Sequence, residues 1–217
     1  MSKSILYFHG FASSSNSNKA KVLKKYISKN YKNAEILIPD LDNNFKLAVS
    51  QIHELINGAK YPIVFMGSSL GGYYASYFST NLKTKSVLIN PAIPPLKDFE
   101  MYLGENENYS TGEKFLITPE DIRFIRKMSF KKYANAENTY VLLESGDEVL
   151  NYKETAKYFS GSYIDVIYGG SHSYESLDEK LNNIINFIEM CKNYQDKDGF
   201  ISKNFFNSNT IWIILSQ

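Results

Sequence analysis

Ser69 lies in the run Gly67-Ser68-Ser69-Leu70-Gly71-Gly72, between the apolar stretch "YPIVFM" and the segment "YYASYF". A Walker-type phosphate loop needs GxxxxGK[ST], and no lysine follows Gly71-Gly72; the GxGxxG dinucleotide fingerprint does not fit either. Gly-x-Ser-x-Gly does fit, with Gly67, Ser69 and Gly71. Ser68 cannot be the central serine, because Met66 and Leu70 would then take the glycine positions. A strand that turns at once into a helix strains its central residue, and small residues two before and two after let the backbones pass. The hydroxyl is then presented above the sheet edge, at a helix N-terminus that favours negative charge. The competing reading is a plain Gly-Ser turn.

A serine hydroxyl attacks a carbonyl only when a base takes its proton. Three histidines are available. His53 falls beside an apolar helical stripe and reads as surface. His9 follows the first strand in "FHGF", and His172 follows the last strand in "GGSHSY". The order Ser, acid, His expected of an α/β-hydrolase is met by Ser69, Asp147 in "ESGDEVL" and His172. Asp147 would hold the imidazole tautomer and stabilise the imidazolium. Its neighbour Glu148 is also acidic, but Asp147 comes directly after Gly146 and has the shorter, stiffer side chain. The oxyanion hole would use the backbone amides of Leu70 and Phe11, with His9 and Gly10 orienting the first loop. The bland alternative for His9 is a hydrogen-bonded loop residue without catalytic effect.

These loops need strands to hold them. Residues 4–8, 34–39, 62–66, 86–90, 139–144 and 163–168 read as strands, mostly as continuous apolar runs of the kind buried on both faces in a parallel sheet. Helical patterns fall at 44–57, 70–79 and 176–191, the first and last with apolar stripes. The alternation predicts a doubly wound α/β sheet of about six mainly parallel strands, with right-handed crossovers. Residues 91–138 break the rhythm. They begin "PAIPP", contain the polar run "GENENYSTGE", and hold one helix candidate, "TPEDIRFIRKM", with Thr118 as N-cap and Pro119 at its first position. A connection this long reads as a cap over the site, with a peripheral excursion as the alternative. Tyr73, Tyr102 and Tyr109, with Phe115, are candidate substrate contacts.

The 217 residues are 43% hydrophobic and 22% charged with a formal net charge of +1, so a single globular domain is expected and no strong field draws it to nucleic acid or anionic lipid. The 17 Tyr and 14 Phe accompany abundant Asn, Lys and Ile, which fits AT-rich coding better than an aromatic binding surface. One cysteine, Cys191, excludes an internal disulfide; zinc motifs are absent, and no metal or organic cofactor is implied. The N-terminal apolar run is too short for a signal peptide, and no segment approaches the roughly 18 apolar residues of a membrane helix. A cytoplasmic protein is expected; oligomeric state cannot be read.

The stretches "YFHGFASSSNSNKA", "GSSLGGYYA", "LINPAI", "YLGENENYSTGE" and "SGDEVLNY" together resemble the YqiA-like family of small bacterial α/β-hydrolase esterases. The similarity runs from about residue 4 to about 192. It implies a minimal hydrolase domain over 1–192 that acts on short acyl esters, with acyl thioesters also considered. Position by position, it implies Ser69, Asp147 and His172 as the triad, with Leu70 and the loop after "FHG" at the oxyanion. An acyl-CoA thioesterase is the nearest alternative, since Lys19, Lys21 and Lys24 could meet a nucleotide phosphate or simply form a solvated helix face. A non-catalytic binding protein of the same fold is the alternative of another class. The extension 193–217 departs from the family's usual end, and its short run "TIWIIL" cannot span a bilayer. Deleting 199–217 is expected to leave kcat/KM within a few-fold; collapse of activity in a truncation that still folds would show that the extension reaches the site.

Overall fold

The structure, a computed structural model, describes residues 2–190. The expectations for Cys191 and for the extension 193–217 lie outside the described residues.

All six expected strands form: β1 (Lys3–Phe8), β2 (Ala34–Leu37), β3 (Ile63–Ser68), β4 (Lys85–Ile89), β7 (Thr139–Glu144) and β8 (Tyr163–Ile167). They make one sheet in the order β2-β1-β3-β4-β7-β8, parallel throughout. Alternate side chains explain the continuous apolar runs. Leu6, Phe8 and Phe65 enter one core, while Ile5, Tyr7, Val64 and Met66 enter the other. Full burial of a side chain such as Phe8 or Phe65 contributes roughly 1.5–3 kcal/mol.

Helices α1 (Asn18–Asn30) and α6 (Leu177–Glu189) cover the second face, through Ala20, Leu23 and Ile27 of α1 and Leu177, Leu181, Ile184 and Ile188 of α6. On the opposite face lie α2 (Phe45–Gly58), α3 (Leu70–Leu82) and α5 (Tyr152–Tyr158). Asn44 caps α2 by accepting the N–H groups of Lys46 and Leu47. Helix α1 is lysine-rich, and only three positions of its stripe are buried, so its periodicity is faint in the sequence.

The chain leaves β1 toward one edge of the sheet and leaves β3 toward the other. Their carboxyl ends therefore flank the crevice where a doubly wound sheet reverses its strand order, the usual place for a ligand. His9-Gly10 and Ser69 emerge there.

Residues 91–138 are more structured than the expected single helix. They hold a 3-10 turn (Phe99–Tyr102), an antiparallel ribbon of β5 (Gly104–Glu107) and β6 (Lys114–Ile117), and α4 (Pro119–Lys127). The polar run "GENENYSTGE" supplies β5 and its turn. Glu105 and Glu107 face water while Asn106 turns inward, a two-residue alternation too short and polar to read as a strand. Asn108 shapes the turn by accepting the N–H groups of Ser110 and Thr111. The turn docks on the loop after β1: Tyr109 N–H donates to Ala12 O at 2.9 Å, and Asn108 Nδ2 donates to Ser13 O at 3.0 Å. The start of α4 is as expected. Thr118 and Asp121 form a reciprocal capping box, with Pro119 in the first turn, an N-cap typically worth about 1 kcal/mol.

Candidate active site

Ser69 sits between β3 and α3 with φ 54° and ψ −121°, a conformation non-glycine residues rarely adopt and one that costs roughly 1–3 kcal/mol. Its surroundings hold it there. Its N–H donates to Ile89 O at 3.1 Å, and its carbonyl accepts from Tyr73 N–H and Ala92 N–H. The flanking glycines are required by close approach. A Cβ at Gly67 would stand 2.2 Å from Gly71 O, and one at Gly71 would stand 2.1 Å from Phe8 O.

The hydroxyl meets a line of polar groups from two further strand ends. His172 Nε2 is 3.0 Å from Ser69 Oγ, and His172 Nδ1 is 2.8 Å from Asp147 Oδ2. Asp147 has its side chain only 2% exposed. Its second oxygen, Oδ1, accepts from Val149 N–H at 2.9 Å and Leu150 N–H at 2.7 Å. An ionised carboxylate between these donors requires the proton of the neutral imidazole to sit on Nδ1, leaving Nε2 free to accept from Ser69. Glu148 also reaches His172, but at the backbone: its Oε2 accepts the His172 N–H at 2.9 Å. That bond is the main cause that lowers the Glu148 carboxyl below its ordinary value. The two adjacent acids thus diverge, one to the ring and one to the main chain.

Gly10 lies against Ser69, since a Cβ at Gly10 would be 3.4 Å from Ser69 Cβ and 3.9 Å from Ser69 Oγ. Among the described residues no protein acceptor takes the N–H of Leu70 or of Phe11. His9 braces this loop from behind. It is 5% exposed; Leu41 N–H donates to its Nε2 at 3.0 Å, which places the ring proton on Nδ1, facing Gly10 O at 2.9 Å. Burial holds its pKa below the usual imidazole range, against the opposing pull of the Gly10 bond and the Asp40 charge. Both ring nitrogens are committed to the main chain, so His9 has no lone pair left to act as a base toward Ser69.

A cleft of about 610 Å³ opens over Ser69 and His172, within the range that holds most small-molecule ligands. Its apolar wall includes Phe11, Ile93, Leu96, Phe99 and Tyr102. Tyr102 packs on Phe11 with ring centroids 4.6 Å apart, and Tyr109 stands at the mouth, 82% exposed. Tyr73 is placed differently from the expectation. It is 1% exposed, and its hydroxyl donates to Ile125 O of α4 at 3.0 Å, so it joins α3 to the insert inside the core rather than touching the cleft. Its main chain stays beside Ser69, with Tyr73 N–H bonded to Ser69 O, but its side chain runs into the core toward α4. Phe115 backs Phe11 edge-on, with centroids 5.6 Å apart, and is likewise not at the cleft wall. Lys19 borders the cleft and donates to Ser173 O at 2.8 Å, whereas Lys21 and Lys24 are exposed on α1. Among the described residues no His, Cys, Asp and Glu cluster is arranged to hold a metal ion, and no helix is long and apolar enough to cross a membrane.

Glu144 and Asn90, which contact the loop carrying His172, were not singled out from the sequence. The available signal was a glutamate closing the otherwise apolar run "TYVLLE". A charged residue at the end of a strand buried on both faces demands partners.

The parallel six-stranded sheet with helices on both faces and a serine at the β3–α3 turn defines an α/β-hydrolase fold. Solved structures share it. Alpha/beta hydrolase domain-containing protein 10 from mouse matches with a TM-score of 0.64 at 17% identity, covering 84% of this chain and 89% of its own. Est1E from Butyrivibrio proteoclasticus matches with a TM-score of 0.63 at 16% identity, covering 86% and 87%. At such identities the likeness shows the fold alone. The chain belongs to the family described as "Uncharacterised protein family (UPF0227)", whose profile matches residues 4–189. A relative, UPF0227 protein PM0825 of Pasteurella multocida (strain Pm70), is 26% identical over 186 residues, which are 83% of this chain and 96% of the relative.

Proposed function

We propose that the protein is a cytoplasmic serine hydrolase that cleaves carboxylic esters of small molecules, with residues 91–138 acting as a cap over the site. The observation that carries this reading is the unbroken contact from Ser69 Oγ through His172 to Asp147, at 3.0 and 2.8 Å. In the reaction, Ser69 Oγ attacks the ester carbonyl carbon as its proton passes to His172 Nε2. The carbonyl oxygen becomes an oxyanion, to which the N–H groups of Leu70 and Phe11 would donate; such a donor is typically worth about 2.7–4 kcal/mol in the transition state. His172 then returns the proton to the departing alkoxide, and the acyl group stays on Ser69. Water, deprotonated by His172, attacks the acyl-enzyme; the acyl–Oγ bond breaks, His172 returns the proton to Ser69 Oγ, and the carboxylic acid is freed. Asp147 remains ionised throughout and balances the imidazolium.

Acyl-CoA thioesters would follow the same steps. The ester reading is preferred because the three candidate lysines do not converge: Lys19 is bonded to Ser173 O, and Lys21 and Lys24 point to solvent. A panel of p-nitrophenyl esters and CoA esters of matched acyl length tests the assignment. Turnover of the oxygen esters at the higher kcat/KM supports it, while turnover of CoA esters alone replaces it with a thioesterase.

The apolar wall is assigned to the acyl chain and short chains are expected to be preferred. Tyr109→Ala removes a ring at the mouth and is expected to change the ratio of kcat/KM between long and short acyl esters by several-fold. Tyr102→Ala is expected to shift the same ratio and also lower kcat, because Tyr102 supports Phe11. Steady-state kinetics across a chain-length series reads both. A uniform effect over all lengths would count against a specificity role for the cap.

A further inference from the structure

His172 is carried by residues 168–176, a stretch between β8 and α6 with no regular secondary structure. Such a segment is ordinarily too mobile to hold an imidazole nitrogen in line with a hydroxyl. Here it closes on one side chain. Glu144, the last residue of β7, is fully buried. Its Oε2 accepts from Ser171 N–H at 2.8 Å and from Glu175 N–H at 3.0 Å, and its Oε1 accepts from Ser176 N–H at 2.8 Å. Asn90, the residue after β4, ties the same parts together. Its Oδ1 accepts Glu144 N–H at 3.0 Å, while its Nδ2 donates to Ser171 O at 3.0 Å and His172 O at 3.3 Å. Lys19 closes the third side through Ser173 O.

We propose that Glu144 is a positioning residue for the proposed hydrolysis: an anionic clamp whose three accepted N–H bonds set the place of the His172 imidazole. The inference rests on the triad reading of Ser69, His172 and Asp147. The chemistry asks for a carboxylate. Three N–H groups point at two oxygens, and only an ionised carboxyl offers acceptors at both corners with no hydrogen in the way. Burial alone would raise the Glu144 carboxyl, but the bonds from Ser176, Ser171 and Glu175 bring it below its ordinary value. The fit is tight. Gly170 has φ 69°, and a Cβ there would stand 2.0 Å from Glu144 Oε2, so the loop can close on the carboxylate only with glycine at this point. Ser171 is bonded directly before His172, so any shift of the clamp passes into the imidazole. A misplacement of about 1 Å can cost about 10²-fold in rate.

The test compares Glu144→Gln with Thr139→Val. Thr139 begins the same strand at its far end, in a buried cluster with Ser86 and Tyr133. Its loss should lower stability without touching the His172 loop. Glu144→Gln puts an amide hydrogen against at least one of the three N–H donors. It is expected to lower kcat by about 10²-fold with KM changed less than about threefold, to slow fluorophosphonate labelling in parallel, and to weaken the downfield proton signal of the His172–Asp147 bond. Thr139→Val is expected to lower Tm and leave kcat per folded molecule unchanged. Should Glu144→Gln fail to fold, Gly170→Ala keeps the carboxylate but crowds Oε2, and is expected to give the same kcat-selective loss. A folded Glu144→Gln or Gly170→Ala protein with kcat within about threefold of the parent would overturn the inference, as would equal kcat losses in Glu144→Gln and Thr139→Val. Ser69→Ala is measured beside them. If it retains hydrolysis, the triad reading itself fails; if it is inactive while Glu144→Gln is unaffected, only the clamp fails.

Discussion

Ser69→Ala is expected to lower kcat by on the order of 10⁶, the usual cost of losing the nucleophile of a triad, while Ser68→Ala keeps most of the activity. The two serines are adjacent, and their difference is one of conformation. Ser68 ends β3 in ordinary ladder register with Ile89 of β4 and is 2% exposed. Ser69 is the next residue, at φ 54°, and this reversal turns its hydroxyl out of the sheet toward His172 Nε2. Alanine at 69 removes the oxygen that the imidazole meets there, and the Leu70 and Phe11 amides would then face a carbonyl that nothing attacks. Ester hydrolysis by both variants, with circular dichroism to verify folding, measures the difference. Equal losses in two folded variants would remove Ser69 from the nucleophile's position.

The second large effect is expected at the acid. Asp147→Asn should lower kcat by on the order of 10⁴ through a wrong tautomer, and Glu148→Gln by less than about tenfold. Local hydrogen bonds decide how the amide introduced by Asp147→Asn would be oriented. Val149 N–H and Leu150 N–H both need an acceptor, so the amide oxygen replaces Oδ1 and the NH₂ is left facing His172 Nδ1. Nδ1 must then accept, the ring proton moves to Nε2, and the nitrogen that should take the serine proton already carries one. Glu148 contributes a bond to the His172 main chain, and a glutamine oxygen can make the same bond. Steady-state kinetics on the two variants separates them. A crippled Glu148→Gln protein beside an active Asp147→Asn protein would show that the acid had been assigned to the wrong residue.

The sheet was legible because its inner strands are apolar on both faces, and that pattern survives in single runs such as "SILYF" and "TYVLLE". The elbow was legible because close approach leaves no choice at Gly67 and Gly71. The ribbon β5–β6 was not, since a short half-exposed ribbon made of Glu and Asn carries no hydrophobic period. Tyr73 was misplaced because its main chain, bonded to Ser69 O, is near the site while its side chain is not: its hydroxyl donates to Ile125 O of α4. The clamp at Glu144 could not be read because its partners are backbone N–H groups of residues 171, 175 and 176, which have no side-chain signature.

The most direct test of an activated serine needs no knowledge of the natural substrate. The full chain is treated with a fluorophosphonate, digested, and the adduct located by tandem mass spectrometry. The expected result is a single adduct on Ser69 that is absent from Ser69→Ala and forms much more slowly in His172→Ala and Asp147→Asn. No adduct on the folded protein, or an adduct on Ser68 that forms equally fast without His172, would contradict a catalytic role for this site and leave a hydrolase fold that binds without turnover.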